Sequence, residues 1–133
     1  MIPTTGTRYT EDMTTYRQIN VALSRDYVET LNNAATCSYR SLRSETTLRI
    51  EDYLGSFDGR LTDEIDEFIF LKKDIGTYIT CSLTKETNEN LNRLVSKIND
   101  RREKPTSKSI IAGCCLAYHL TKYLVIGCKG FKQ

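Results

Sequence analysis

No stretch of this chain approaches the ~20 consecutive apolar residues that a membrane helix needs, so no membrane span is expected. The start, Met1-Ile2-Pro3-Thr4-Thr5, lacks a basic region followed by an apolar core, so a secretory signal is not expected either. Histidine occurs once, at His119, and Cys-x-x-Cys is absent, which leaves a zinc site without ligands. Neither a catalytic triad, a phosphate-cradling glycine loop nor a metal cluster stands out, so the reading is of a protein without enzymatic activity or cofactor. The five cysteines are Cys37, Cys81, Cys114, Cys115 and Cys128. Their odd number and unpaired spacing point to reduced thiols in a cytoplasm. Cys37 and Cys81 read as packing residues, since free cysteine behaves as a small hydrophobe. Cys114 and Cys115 fall in an apolar helix, where a thiolate is disfavoured.

What is present is enough for one domain. The chain has 133 residues, 39% hydrophobic and 27% charged, which is neither a membrane nor a disordered composition. The net charge of +2 hides an asymmetry. Residues 1–54 carry six Arg against seven acids, residues 55–76 three basic against six acidic, and residues 77–133 ten basic against four acidic. The basic C-terminal part suits a polyanion, although the overall balance does not by itself indicate DNA.

Two stretches organise the rest. Gln18-Ile19-Asn20-Val21-Ala22-Leu23 alternates polar and apolar residues and breaks into a helix start at Ser24. Tyr78-Ile79-Thr80-Cys81-Ser82-Leu83 does the same before Thr84. The echo has a fixed offset of sixty: Leu23-Ser24-Arg25-Asp26 answers to Leu83-Thr84-Lys85-Glu86, and Leu31-Asn32 to Leu91-Asn92.

Residues 1–15 read as a mobile arm, with a groove or backbone contact through Arg8 or Tyr9 as its functional alternative. Residues 16–54 form the first unit. Ser24 caps a helix to about Cys37 with Val28, Leu31 and Ala35 on one face, and Ser41 caps a second helix to Leu54 along Thr47, Ile50 and Leu54. Gly55 is placed to stop that helix. Residues 55–76 connect the units, with a turn at Asp58-Gly59. There Asp63, Glu64, Asp66 and Glu67 precede Phe68-Ile69-Phe70-Leu71, which is expected to cover the chain's own core rather than to dock a partner. Residues 77–124 form the second unit. Thr84 caps a helix striped by Leu91, Leu94, Val95 and Ile98 and reaching about Arg102, Pro105 breaks it, and Thr106 or Ser107 caps the last helix, whose apolar residues run from Ile110 to Leu124. Residues 125–133, with Gly127 and Gly130, are a tail.

Neither strand can bury its apolar face alone, and a two-stranded ribbon needs support. The economical solution pairs the strands antiparallel over four helices: a mostly α structure with a two-stranded antiparallel ribbon (α+β), two β-α-α units folded as an intrachain pseudo-dimer. Such a ribbon fits the major groove of duplex DNA. The residues expected to meet bases are Gln18, Asn20, Ala22, Tyr78, Thr80 and Ser82. Asn and Gln suit adenine, and Thr or Ala methyls suit the thymine methyl. The two edges differ, so the expected target is asymmetric. Phosphates are expected at the starts of the second helix of each unit, at Arg40, Ser41, Leu42 and Arg43, and at Lys104, Thr106, Ser107, Lys108 and Ser109. Arg25, Lys85, Arg101 and Arg102 are candidates for further backbone contacts, each reading more simply as part of a solvated helix face.

The alternation ending in Leu-Ser or Leu-Thr, the Leu at spacing eight and Arg-Ser before a second helix resemble ribbon-helix-helix repressors of the Arc and MetJ kind. Two units in one short chain resemble the TraY family of relaxosome accessory proteins of F-like conjugative plasmids. The similar stretches are Arg40-Ser41 through Ser44-Glu45, Leu48-Arg49-Ile50, Asp52 and Leu54, and Leu83-Thr84-Lys85-Glu86-Thr87-Asn88. The likeness spans roughly residues 16–124. It departs from the pattern in the uncharged Ala22, Thr80 and Ser82, in Tyr39 where many members carry Gly, and in extra length between Ile98 and Ile110. The resemblance implies binding and bending of an origin of transfer, with relaxase and integration host factor as partners, and regulation of transfer-gene transcription. Intrachain pairing of the strands leads to the expectation of a chain that is monomeric in solution, with one or several copies on DNA. Two rivals remain: a ribbon-helix-helix repressor or antitoxin that uses Asp63–Leu71 to bind a toxin, and a protein–protein adaptor whose ribbon pairs with a partner's strand without DNA.

Overall fold

The computed structural model describes residues 16–55 and 60–123. Among them are two strands and five α-helices. β1 (Tyr16–Ser24) leads through a 3-10 turn (Arg25–Tyr27) into α1 (Val28–Ser38) and α2 (Leu42–Leu54). α3 (Arg60–Asp66) and a second 3-10 turn (Lys72–Asp74) occupy the connector, and β2 (Ile75–Thr84) leads into α4 (Lys85–Asn99) and α5 (Lys108–Lys122). The expectations for Arg8, Tyr9, the Asp58-Gly59 turn, Leu124 and the tail with Gly127, Cys128 and Gly130 lie outside the described residues.

The helix starts follow local chemistry. Ser41 Oγ accepts from the Ser44 amide at 3.0 Å, Thr84 Oγ1 from Thr87 at 3.2 Å and Ser107 Oγ from Ile110 at 3.2 Å. Each hydroxyl satisfies one of the first-turn amides that lack an intrahelical partner. Ser24 differs: it accepts from Asp26 at 3.4 Å and opens a 3-10 turn before α1 begins. At the end of α1 the chain reverses through Tyr39, at φ 60° and ψ 40°, a conformation that ordinarily favours glycine. α4 ends at Asn99, three residues short of Arg102. There the Asn99 side chain accepts from the Thr106 amide at 2.8 Å and donates to the Thr106 carbonyl at 3.1 Å, tying off the loop before α5.

The strands pair antiparallel, with Asn20 opposite Thr80, Gln18 opposite Ser82 and Ala22 opposite Tyr78. Asn20 and Thr80 are also sixty positions apart, so each is both the counterpart and the cross-strand partner of the other. A bulge between Leu23 and Ser24 ends the regular pairing.

Val21, Leu23, Ile79, Cys81 and Leu83 turn into a core completed by Leu31, Ile50, Leu54, Leu91, Leu94, Ile98, Ile111 and Leu116. Full burial of each such aliphatic side chain stabilises by about 1.5–3 kcal/mol. The packing is reciprocal: α5 lies on β1 and α2 lies on β2. α5 approaches so closely at Gly113 that a Cβ there would stand 1.6 Å from the Ala22 carbonyl oxygen.

Side chains on α2 lock the two halves together. Glu51 accepts from the Thr84 amide at 2.6 Å and from the Thr87 hydroxyl at 2.6 Å, placing a carboxylate at the start of α4. Asn90 Nδ2 donates to the Leu54 carbonyl at the end of α2 at 2.7 Å. Arg49, fully buried, donates from Nε to Glu45 at 2.8 Å and from a terminal nitrogen to His119 Nδ1 at 3.2 Å and to the Tyr123 carbonyl. His119 Nε2 donates to Asp52 at 2.7 Å. Arginine offers no lone pair, so Nδ1 must accept and the ring is neutral. Burial holds the imidazole below its ordinary pKa; Arg49 adds to that effect and the Asp52 hydrogen bond opposes it.

The acidic-hydrophobic stretch of the connector packs on its own chain. Phe68 meets the Tyr118 ring edge-on at 5.2 Å, and Phe68, Ile69 and Phe70 lie against the core, while Leu71 is exposed. Asp63 pairs with Arg101 at 2.9 Å and Asp66 with Arg102 at 2.8 Å. Arg101 and Arg102, two of the residues considered as extra backbone contacts, are therefore engaged by α3. Cys81, Cys114 and Cys115 are buried and Cys37 half-buried. Burial pushes the Cys114 thiol up to about 12 and raises Cys115 well above its ordinary value, which keeps both protonated. No helix among the described residues is long and apolar enough to cross a membrane.

Candidate nucleic-acid interface

The side of the ribbon away from the core is polar at its centre. Gln18, Asn20 and Ser82 are exposed, Thr80 is half-buried, and Thr80 Oγ1 donates to Asn20 Oδ1 at 2.8 Å. That bond spends one acceptor of the Asn20 amide and leaves its NH2 group directed by a fixed partner. Tyr78 is 57% exposed. Tyr16, which strand alternation places on the same face, is 53% exposed and extends the ribbon two residues beyond Gln18. The polar–apolar pattern gave no signal for it, because Arg17 stands where an apolar residue would continue the inward face.

Ala22 corrects the expected set of base-facing residues. It has no exposed surface. The connector brings Ile69 and Phe70 to this end of the ribbon, where they line a cleft together with Ala22 and Tyr78, and α5 closes on the Ala22 carbonyl. Its methyl is thus part of the structure's own packing. The remaining five residues, Gln18, Asn20, Tyr78, Thr80 and Ser82, share one face.

The starts of α2 and α5 flank the two ends of this face. On one side Arg40, Arg43 and Ser44 border a depression with Ser82; on the other Lys104, Thr106, Ser107 and Ser109 border the cleft with Ala22 and Tyr78. In both helices the cap hydroxyl takes the third amide, leaving those of Leu42 and Arg43, and of Lys108 and Ser109, without intrahelical partners. Such a helix start attracts an anion. The start of α4 does not compete, because Glu51 already fills that position.

The two ends are not equivalent. Ser41, Leu42 and Arg43 are exposed, whereas Arg40 pairs with Glu45 at 3.0 Å. At the other end Lys104 and Ser107 are exposed and Ser109 is half-buried. The Thr106 amide is committed to Asn99, and Lys108 Nζ donates to Asn88 at 2.8 Å, with burial lowering its pKa. Lys108 therefore offers its backbone amide at the helix start while its ammonium is held against α4. Among the described residues no group of three or more His, Cys, Asp and Glu is arranged to hold a metal ion. No protein-family model matches the chain, and neither a curated protein nor a solved structure does.

Proposed function

We propose that this protein binds double-stranded DNA sequence-specifically, laying the polar face of its ribbon into the major groove. In this reading the chain is a tandem ribbon-helix-helix protein, two units folded as an intrachain pseudo-dimer. The observation that carries it is the pairing of Asn20 with Thr80 at the centre of an exposed polar face, with an open helix start at either end. A two-stranded ribbon matches the width of the major groove, and helix starts beside it suit the two flanking backbones. Gln18 and Asn20 from one edge and Tyr78, Thr80 and Ser82 from the other are the readers. Arg43, Lys104 and the amides opening α2 and α5 hold phosphates. The two edges differ in every position, which favours an asymmetric target.

The resemblance to the TraY family extends the proposal to a role: binding and bending a plasmid origin of transfer, so that a relaxase, alongside integration host factor, gains its nicked strand. Regulation of transfer genes belongs to the same reading. An antitoxin would need Asp63–Leu71 free for a toxin, and that stretch is engaged with Arg101, Arg102 and Tyr118. Footprinting on duplex fragments carrying transfer origins and transfer-gene promoters tests the proposal. A discrete protected segment is expected. Uniform cleavage of every fragment, with capture of a protein on the ribbon instead, would favour the adaptor.

A further inference from the structure

Among the described residues, the cleft beside Ala22 and Tyr78 differs from the depression at the other end of the ribbon. Its volume is about 580 Å³, within the ~300–1,000 Å³ range of small-molecule sites. The depression beside Ser82 is lined by Arg40 and residues of α2 and contains no aromatic side chain. The difference arises from two additions peculiar to the second half: the connector, which brings in Phe70 and Lys72, and the longer loop before α5, which brings in Arg102 and Lys104. Those two segments are pinned to one another by the Asp63–Arg101 and Asp66–Arg102 ion pairs.

The chemistry of the walls is one-sided. Lys72, Arg102 and Lys104 line the cleft and no acidic residue does, with the Arg102 charge shared with Asp66. The start of α5 opens onto the same space through Ser107 and Ser109, adding the amides of Lys108 and Ser109. Phe70 and Tyr78 supply ring surface. The ammonium groups of Lys72 and Lys104 and the helix start call for an anionic group, and the rings call for a flat apolar body joined to it.

We propose that this cleft binds a small phosphate-bearing ligand with a flat ring, of mononucleotide size, and that the ligand excludes DNA from this end of the ribbon. The second clause rests on the DNA reading above, because Tyr78, Lys104 and Ser107 serve both; the first does not. Ligand occupancy would then set how much of the ribbon can engage a duplex.

Calorimetric titration of the full chain with AMP and GMP, in the absence of DNA, tests the site. Saturable binding to at least one of them is expected. So is a loss of roughly tenfold or more in Lys72→Glu, a substitution at an exposed position whose folding is checked by circular dichroism. Inorganic phosphate and adenosine alone should each bind more weakly than the joined molecule. Amide resonances of residues 69–72, 104 and 106–110 should shift together. No saturable binding, unchanged affinity in a folded Lys72→Glu, equal affinity for inorganic phosphate, or shifts elsewhere would each overturn the site. Competition with a footprinted duplex then tests the exclusion: release of DNA is expected, and a ternary complex of unchanged affinity would overturn that clause while leaving the site standing.

Discussion

Asn20 and Thr80 face each other across the ribbon, sixty positions apart, joined by a 2.8 Å hydrogen bond from the Thr80 hydroxyl to the Asn20 side-chain Oδ1. Every other feature of the proposed interface is placed relative to this pair. The ribbon's differing edges extend from it in both directions, and the starts of α2 and α5 lie beyond them.

The uneven ends predict an uneven response to charge removal. Arg43→Ala should flatten the dependence of DNA affinity on salt, lowering the slope of log K against log[salt] by about 0.9, for specific and random duplexes alike. Lys108→Ala should lower it less, because its ammonium is held by Asn88. Anisotropy titrations across a salt series measure both. Equal flattening in the two variants would mean that Lys108 swings out to a phosphate.

Gly113→Ala should destabilise the fold. Replacing a helix-interior glycine by alanine gains ~1 kcal/mol of helix propensity. Here the added methyl would sit 1.6 Å from the Ala22 carbonyl oxygen, and that atom is backbone in a paired strand. Overpacking of this kind costs about 1–3 kcal/mol, and the severity of the overlap puts this site at the upper end, so the net effect is a loss. Urea denaturation reads it directly; an unchanged or raised midpoint would show that α5 does not rest on β1.

Tyr39→Gly should stabilise. The residue is 96% exposed, so little packing is given up, and its left-handed conformation carries a cost of about 1–2 kcal/mol for an L side chain. The greater freedom of glycine in the unfolded chain returns part of this, leaving a gain of about 0.5–1 kcal/mol. A rise in thermal midpoint without loss of DNA affinity is the expected result, and a fall would contradict the turn geometry.

His119 makes stability depend on pH. Its pKa in the fold lies below the ordinary 6.5, so the unfolded chain takes up a proton first as pH falls. The contribution is fully present above about pH 6.5 and is lost as pH falls through the folded value. Between pH 7 and pH 5 the parent should lose more stability than His119→Gln, which has no proton to gain. Identical pH profiles in urea melts would remove His119 from the account.

Much of this fold was legible because its signals are local. Ser41, Thr84 and Ser107 cap where their hydroxyls precede an apolar period, and Leu91, Leu94 and Ile98 face inward because their spacing leaves no other face apolar. The internal repeat implies that two equivalent strands pairing antiparallel centre on an equivalent pair of residues but not which one, and that Asn20 and Thr80 are that pair is seen only in the fold. What could not be read depends on which element lies on which. The Ala22 methyl points with Asn20, yet the connector and α5 cover it. Arg49 and His119, seventy positions apart, meet only because α2 and α5 pack together. Lys108 reads as a phosphate ligand until α4 brings Asn88 within its reach.

The central claim is that the ribbon reads bases. Affinity of the parent and of Asn20→Ala for a footprinted duplex, each relative to random duplex at one salt concentration, tests it most directly. The account predicts a selective loss of about 1–3 kcal/mol on the footprinted site, with random binding nearly unchanged. A variant that discriminates as well as the parent would show that the reader lies elsewhere.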